Sequence, residues 1–322
     1  MSQDNHPYNF ALIGAGGYIA PRHMKAIRDT GNILMAALDK SDSVGILDSY
    51  SFDVAFFTEF ERFDRHVEKL RRQGDERRIH YVSICSPNYL HDSHIRFALR
   101  IGADAICEKP LVLNPWNVDA LAELERETGR QVYNILQLRV HPAIIAVRDR
   151  IRATAPGRRH AVDLTYITSR GNWYFASWKG DESKSGGVAT NIGIHFFDML
   201  MWIFGPVKEY QIHQSDAKCM AGYLCLEHAD VRWFLSVDCT HLPATSGGKT
   251  TYRSITIDGE EMEFSEGFTD LHTVVYREIL AGRGFGIEDA RPSISLVHDL
   301  RHAPVVCCTS DRRHPLVAVC RD

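Results

Sequence analysis

The chain has no uncharged run of about 18 residues that could cross a bilayer. Its first ten residues, MSQDNHPYNF, lack the basic segment followed by an apolar core that marks a secretory signal. Both absences predict a cytoplasmic protein with no membrane partner. There is no excess of positive charge either: 37 Lys and Arg against 41 Asp and Glu give a net charge of −4. That excludes a general polyanion-binding surface, and nucleic acid with it, but leaves room for a local basic pocket that holds an anionic substrate. No two cysteines form a CxxC pair, and none of Cys85, Cys107, Cys219, Cys225, Cys239, Cys307, Cys308 and Cys320 stands with histidine at zinc-ligand spacing. No metal site is expected, and the thiols read as reduced and buried. Internal repeats, low-complexity tracts and flexible linkers are also missing, so the domains should share an interface.

What the sequence does have is length and rhythm. Its 322 residues exceed one ordinary domain, and 44% hydrophobic with 24% charged residues is a globular composition. Up to residue 137, apolar runs alternate with amphipathic stretches. YNFALIGA, ILMAALD, IHYVSICS, DAICEKP and QVYNILQ read as strands. Helices are expected at RHMKAIRDTG, closed by Gly31, at YLHDSHIRFALRIG, ending at Gly102, and at NPWNVDALAELERETG, with Asn114 as N-cap and Pro115 in first position. Such alternation predicts βαβ crossovers and an α/β domain over residues 1–137, built on a doubly wound parallel sheet. From residue 138 longer strand-like segments appear: HAVDLTYITSR, GYLCLEH, VRWFLSVDC and YRSITIDGEEMEF, with helix candidates at 189–204, 269–281 and 288–302. Residues 138–322 should form an α+β domain on an open, mostly antiparallel sheet.

The stretch ALIGAGGYIAPRH misfits the usual G-x-G-x-x-G spacing, because Gly14 and Gly16 then lead to Ile19. One extra loop residue restores the pattern. Gly14 makes the turn, Gly17 allows backbone to approach a pyrophosphate, and Ala20 packs helix on strand, with Pro21 in the first helical turn. The second strand ends in Asp39, placed to accept hydrogen bonds from the adenosine ribose hydroxyls. A carboxylate there disfavours a 2′-phosphate, which predicts NAD over NADP, and Lys40 beside it tempers that preference.

Two further strands end in CSPNYLH and CEKP, at the sheet edge where open α/β folds bind ligands. Ser86, Pro87 and Asn88 would turn the chain beneath the cofactor, and Lys109 would point over the cleft. In NIGIHFFDMLMWIFG, a largely apolar helix pattern, Asn191 and His195 lie four residues apart and so on one face, with Asp198 three further along.

GAGGYIAPRH, SPNYLH, EKP at 108–110 and GGVATNIGIHFFD at 186–198 resemble the glucose-fructose oxidoreductase, inositol dehydrogenase and MocA family of NAD(P)-dependent oxidoreductases. The resemblance implies a Rossmann domain followed by an α+β domain, and assembly as a homo-oligomer, either dimer or tetramer. It also implies that Lys109 binds the reacting hydroxyl and that His195 is the acid/base. Gly14, Gly17, Tyr18, Ile19, Asp39, Ser86, Pro87, Asn88, His91, Glu108, Lys109 and Gln137 would lie on NAD. The sequence departs from the family at one point: many polyol-oxidising members carry aspartate four residues before the histidine, where this chain has Asn191. An amide orients the ring but cannot stabilise imidazolium as a carboxylate does, so His195 should be a weaker base and Lys109 should take more of the proton transfer unless a substrate carboxylate helps.

NILQLRVHP, SRGNWYFASWKGDESKSGGVATNIGIHFFDML and DLHTVVYREILAGRGFGIEDARPSI are similar to the branch that oxidises UDP-N-acetyl-2-amino-2-deoxyglucuronate at its 3-hydroxyl, a step toward diacetamido-uronic acids of bacterial surface polysaccharides. The residue chemistry agrees: Arg170, Asn172, Trp173, Tyr174, Trp178 and Lys179 offer stacking faces and cations for a uridine, a diphosphate or a uronate, with Asn191 nearby in the pattern. Three other readings stay open at this point: an NAD-dependent glycosidase, another polyol or aldose dehydrogenase, and a non-enzymatic NAD-binding regulator. The route of NADH reoxidation and the role of the tail after residue 302 are not legible.

Overall fold

The computed structural model describes residues 6–154, 157–244, 247–262, 270–307 and 311–317. Cys308, Cys320 and the end of the expected YRSITIDGEEMEF strand lie outside them. The chain divides into two compact units, Met1–Val140 with Phe268–Arg291, and His141–Gly267 with Pro292–Asp322. This differs from a single cut after residue 137, because a later segment returns to the first unit.

In the first unit, strands β1 (Asn9–Ile13), β2 (Ile33–Leu38), β3 (Ala55–Phe57), β4 (Tyr81–Ile84), β5 (Asp104–Cys107) and β6 (Val132–Asn134) form one sheet in the order β3-β2-β1-β4-β5-β6. All its pairings are parallel. The helices are α1 (Ala20–Asp29), α2 (Phe60–Arg72), α3 (His91–Arg100) and α4 (Pro115–Thr128). Every residue of β1 is buried, as expected of a strand covered on both faces. Strand order reverses at β1, so the loops after β1 and β4 flank a topological switch point. The sequence reading passed over β3 and α2, whose short, half-buried AFF strand carries no period to read.

The second unit has strands β7 (His160–Thr168), β8 (Val207–Ser215), β9 (Cys219–Leu226), β10 (Ala229–Ser236), β11 (Thr251–Ile257) and β12 (Glu260–Glu261), in the order β12-β11-β7-β10-β9-β8. Among the described residues, β7 and β10 are the one pair of these strands that run parallel; the other strand pairings are antiparallel. Helices α5 (Pro142–Arg152), α6 (Asn172–Ala176), α7 (Glu182–Ser185) and α8 (Ile194–Phe204) belong here, and the Arg148 guanidinium of α5 lies 4.1 Å from the centre of the Trp202 ring of α8. The edge strand β8 was not anticipated, since only two of the nine residues of VKEYQIHQS are buried and it shows little apolar alternation. Two helices follow, α9 (Leu271–Leu280) in the first unit and α10 (Ile287–His302), within which the division of the chain falls.

The stretch Glu182–Phe204, 23 residues with a hydropathy of 1.3, is long and apolar enough to cross a membrane by composition, but 72% of its most apolar window is buried inside the protein. That is the packing of a core helix, apolar nearly all round because protein surrounds it. Cys85, Cys107 and Cys219 are buried as expected, whereas Cys239 and Cys307 are exposed.

Gly222 is where the second sheet leaves no space. A Cβ there would lie 2.2 Å from the Gln211 carbonyl oxygen of β8 and 2.8 Å from the indole of Trp233 on β10. Gly222→Ala should therefore lower stability by about 1–3 kcal/mol through overpacking, read as a lower urea midpoint at unchanged slope.

Candidate active site

The loop between β1 and α1 is held by its own backbone. Gly14 and Ala15 donate to the Leu38 carbonyl at 2.8 and 3.2 Å, Gly17 donates to Gly14 at 3.0 Å, and Ala20 to Gly17 at 3.1 Å. Gly14 has φ +93°, and a Cβ on it would come within 2.6 Å of the Cys85 backbone, so only glycine fits. A Cβ on Gly17 would sit 3.1 Å from the Gly14 oxygen and 3.4 Å from that of Cys85. Ala20 is fully buried, and Ile19 packs against the same core cluster. The misfit residue thus turns inward, and the glycines leave a cradle that side chains would fill. A dinucleotide phosphate fits such a cradle, next to the N-terminus of α1.

Asp39 does more than the sequence suggested. One carboxylate oxygen accepts the Gly16 N–H at 2.9 Å and the other the Ser41 N–H at 2.9 Å, so the carboxylate that would face the ribose is also fixed to the turn. Tyr18 is 89% exposed.

The strand-end loops after β4 and β5 are tied together by His91. Its Nε2 lies 2.8 Å from the Ser86 carbonyl oxygen and its Nδ1 2.7 Å from that of Pro110. His91 is buried, so its visible work is to clamp these loops rather than to present a ring outward. Ser86 Oγ lies 2.8 Å from Nδ1 of His94, which burial pushes down to about 4 and so keeps neutral. Pro87 precedes the 3-10 turn that begins at Asn88, and Asn88 is buried. Lys109 is half-buried in the turn after β5, while Gln137, also half-buried, opens a short 3-10 turn after β6.

Glu108 was expected on the cofactor, yet its carboxylate is buried in protein. His23 Nε2 and His272 Nε2 both lie 2.9 Å from Oε1, and Oε2 accepts the Lys109 N–H at 3.2 Å. His23 Nδ1 is 2.7 Å from the Tyr276 hydroxyl, itself 2.6 Å from Ser83 Oγ. Burial would raise the Glu108 pKa, but the two histidine N–H groups outweigh it and hold the carboxyl well below its usual range. Burial lowers the pKa of His23. A carboxylate only accepts, so both histidines donate through Nε2, and a neutral His23 then accepts the Tyr276 proton at Nδ1. Sequence reasoning missed His23, His272, Tyr276 and Ser83; the available signal was a polar residue at a core-facing position, on amphipathic helices for the first three and within an apolar strand for Ser83.

In the second unit, His195 is half-buried in the first turn of α8. The expected single α-helix from 189 is in fact a π-helical turn, Ala189–Gly193, running into α8, a feature frequent at functional sites. Asn191 Nδ2 donates to the Tyr174 hydroxyl at 2.8 Å. Tyr174 is buried, so it supports Asn191 instead of offering the stacking face expected of it. Elsewhere in that segment Arg170 and Asn172 are exposed, and Trp173 is 56% exposed. Lys179 Nζ lies 4.9 Å from the centre of the Trp178 ring and 5.6 Å from that of Trp173. Burial, and then the charge of Arg170, lower the Lys179 pKa. Two neighbouring cations beside two indoles form a setting that an anionic aromatic ligand would neutralise.

A parallel sheet with a glycine cradle at its switch point and an acidic end to its second strand defines a dinucleotide-dependent oxidoreductase. Residues 8–135 match an oxidoreductase family described by an NAD-binding Rossmann fold, and residues 157–261 match the C-terminal alpha/beta domain of the same family. The chain belongs to this glucose-fructose oxidoreductase, inositol dehydrogenase and MocA family and is an NAD-dependent oxidoreductase. It is similar to the WlbA (WbpB) dehydrogenase from Thermus thermophilus solved with NAD and alpha-ketoglutarate, at 52% identity and TM-score 0.91, over 96% of this chain and 99% of that one. The same enzyme solved with NAD and UDP-GlcNAcA gives 51% identity and TM-score 0.91, over the same shares of the two chains. Among curated proteins, D-glucoside 3-dehydrogenase from Escherichia coli (strain K12) is 26% identical over 134 residues, which is 41% of this chain and only 38% of that protein's length.

Two outcomes test the cofactor turn. Gly17→Val should weaken NAD binding on the order of 100-fold or more, and Gly16→Ala far less, in fluorescence titrations; the reverse order would refute the register. Asp39→Ala should shrink the preference for NAD over NADP by about tenfold, equivalent to ~1.4 kcal/mol. An unchanged ratio of kcat/KM values would remove Asp39 from the ribose.

Proposed function

We propose that the protein oxidises the 3-hydroxyl of UDP-N-acetyl-2-amino-2-deoxyglucuronate to the 3-keto sugar, reducing NAD to NADH. The observation that carries this reading is the 51% identity, over nearly the whole length of both chains, to a dehydrogenase solved with NAD and UDP-GlcNAcA. The cluster of Arg170, Trp173, Trp178 and Lys179 supports it, since it supplies cations for a diphosphate or uronate and indoles for a base.

NAD, when bound, accepts the hydride from carbon 3. Gly14 and Gly17 let backbone amides approach its pyrophosphate, and Asp39 selects a ribose with free hydroxyls. Lys109 binds the reacting hydroxyl oxygen and stabilises the charge that develops there as the proton leaves. His195 accepts or relays that proton. Asn191, bonded to Tyr174, adds no negative charge to the histidine, so His195 is a weaker base than in relatives with aspartate at that position and the reaction leans more on the charge stabilisation that the Lys109 ammonium supplies. The cellular setting we infer is cytoplasmic synthesis of diacetamido-uronic acids for bacterial surface polysaccharide, the lipopolysaccharide O-antigen included. The protein would act as a homo-oligomer, a dimer or tetramer, which the open second sheet makes room for.

The test is to mix the protein with NAD and UDP-N-acetylglucosaminuronate, with and without 2-oxoglutarate, and to follow NADH absorbance and the 3-keto product. NADH or keto sugar should form with this substrate and not with free glucose or inositol. Lys109→Ala should lower turnover about 10²–10⁴-fold while NAD still binds. Full activity in that variant, or turnover of free sugars only, would overturn the reading.

A further inference from the structure

Five side chains from four elements of the first unit form one buried hydrogen-bonded chain: Ser83 of β4, Tyr276 and His272 of α9, His23 of α1, and Glu108 at the end of β5. All five are at most 6% exposed. Apolar side chains of similar volume would often hold a core together as well or better, so a buried ionic network is weak evidence for stability and calls for another explanation. Here its bonds converge on a single carboxylate. Two histidines fix Oε1, and the other oxygen of the same group holds the backbone N–H of Lys109 at 3.2 Å. The chain therefore ends on the residue whose ammonium must meet a hydroxyl at hydrogen-bond distance.

We propose that His23, His272 and Tyr276 are positioning residues for the reaction: through Glu108 they set the backbone from which Lys109 reaches the substrate hydroxyl, and they register that turn against α1, the helix that follows the cofactor loop. This rests on the assignment of Lys109 to the reacting hydroxyl. A bound metal is the competing use of the same atoms, since the three ligand groups lie within 4.8 Å of one another. Ligation would need both histidine Nε2 atoms deprotonated. The 2.9 Å spacings are those of N–H donors on a carboxylate, and the second carboxylate oxygen is already engaged by the Lys109 N–H.

The experiment compares His272→Leu, which fills the volume without a donor, with His272→Gln, whose amide nitrogen reaches where Nε2 lies. Tyr276→Phe is added because it removes only a hydroxyl. Each is assayed with NAD and UDP-N-acetylglucosaminuronate carrying hydrogen or deuterium at carbon 3, alongside wild type and Lys109→Ala. His272→Leu and Tyr276→Phe should lower kcat by about 10- to 100-fold, with the KM for substrate and the Kd for NAD within about twofold and a larger deuterium effect on kcat. His272→Gln should recover most of the loss. Four results would overturn the proposal: full kcat in both His272→Leu and Tyr276→Phe; a fall in kcat matched by an equal loss of NAD affinity; failure of His272→Gln to recover what folded His272→Leu loses; or stoichiometric zinc in the wild type that is absent from His272→Leu. Should His272→Leu not fold, Tyr276→Phe and His272→Gln carry the comparison. An active Lys109→Ala strikes the functional assignment itself, whereas an inactive one beside an unimpaired Tyr276→Phe and His272→Leu strikes only the positioning.

Discussion

A carboxylate removed from water must be met by donors, and in the first unit that requirement falls on Glu108. Its burial is tolerable because His23 and His272 each bring an N–H to one oxygen while the Lys109 N–H meets the other. The two histidines sit on α1 and α9, so satisfying one charge requires the helix after the cofactor loop and a helix from late in the chain to be present together. The core agrees with this dependence, since Val275, Tyr276 and Ile279 of α9 belong to the same apolar cluster as Ala20, Met24 and Ile27 of α1. The first unit is complete only once Phe268–Arg291 has returned to it.

The loop after β1 obeys a second constraint, of space rather than charge. Gly14 faces the Cys85 and Ser86 backbone so closely that no side chain fits, and Gly17 faces two carbonyl oxygens. The closeness that excludes side chains also brings β1 and β4 together at the point where strand order reverses. A fold that needs glycine for its own packing thus leaves a gap beside the N-terminus of α1, and that gap suits a phosphate. Asp39 holds this loop from the end of the second strand, through the N–H groups of Gly16 and Ser41.

The second unit shows how a site can be half legible. Trp173, Trp178 and Lys179 read as a ligand surface from their types alone; in the fold Trp173 is exposed, Trp178 and Lys179 are half-buried, and the ammonium lies against both indoles. Tyr174, in the same run and of the same type, is buried under Asn191. No local pattern separates it from its neighbours, because the difference lies in a residue 17 positions away. Likewise the π-helical turn at Ala189–Gly193 follows from how the segment packs, since its composition also suits an α-helix.

Periodicity, glycine placement and strand-end chemistry determined on their own the parallel sheet, the mostly antiparallel second sheet and the choice of NAD. Each leaves a local trace in the sequence, as a period of apolar residues, a glycine at a turn or an acidic residue at a strand end. Edge strand β8, strand β3, the return of α9 and the network around Glu108 were decided by tertiary structure. There the partners come from distant parts of the chain, and a buried histidine that donates to a carboxylate looks in sequence like any other polar residue on an amphipathic helix. The physical reason is the same throughout: burial turns an ordinary side chain into one that must find a partner, and only the folded chain determines which groups are buried together.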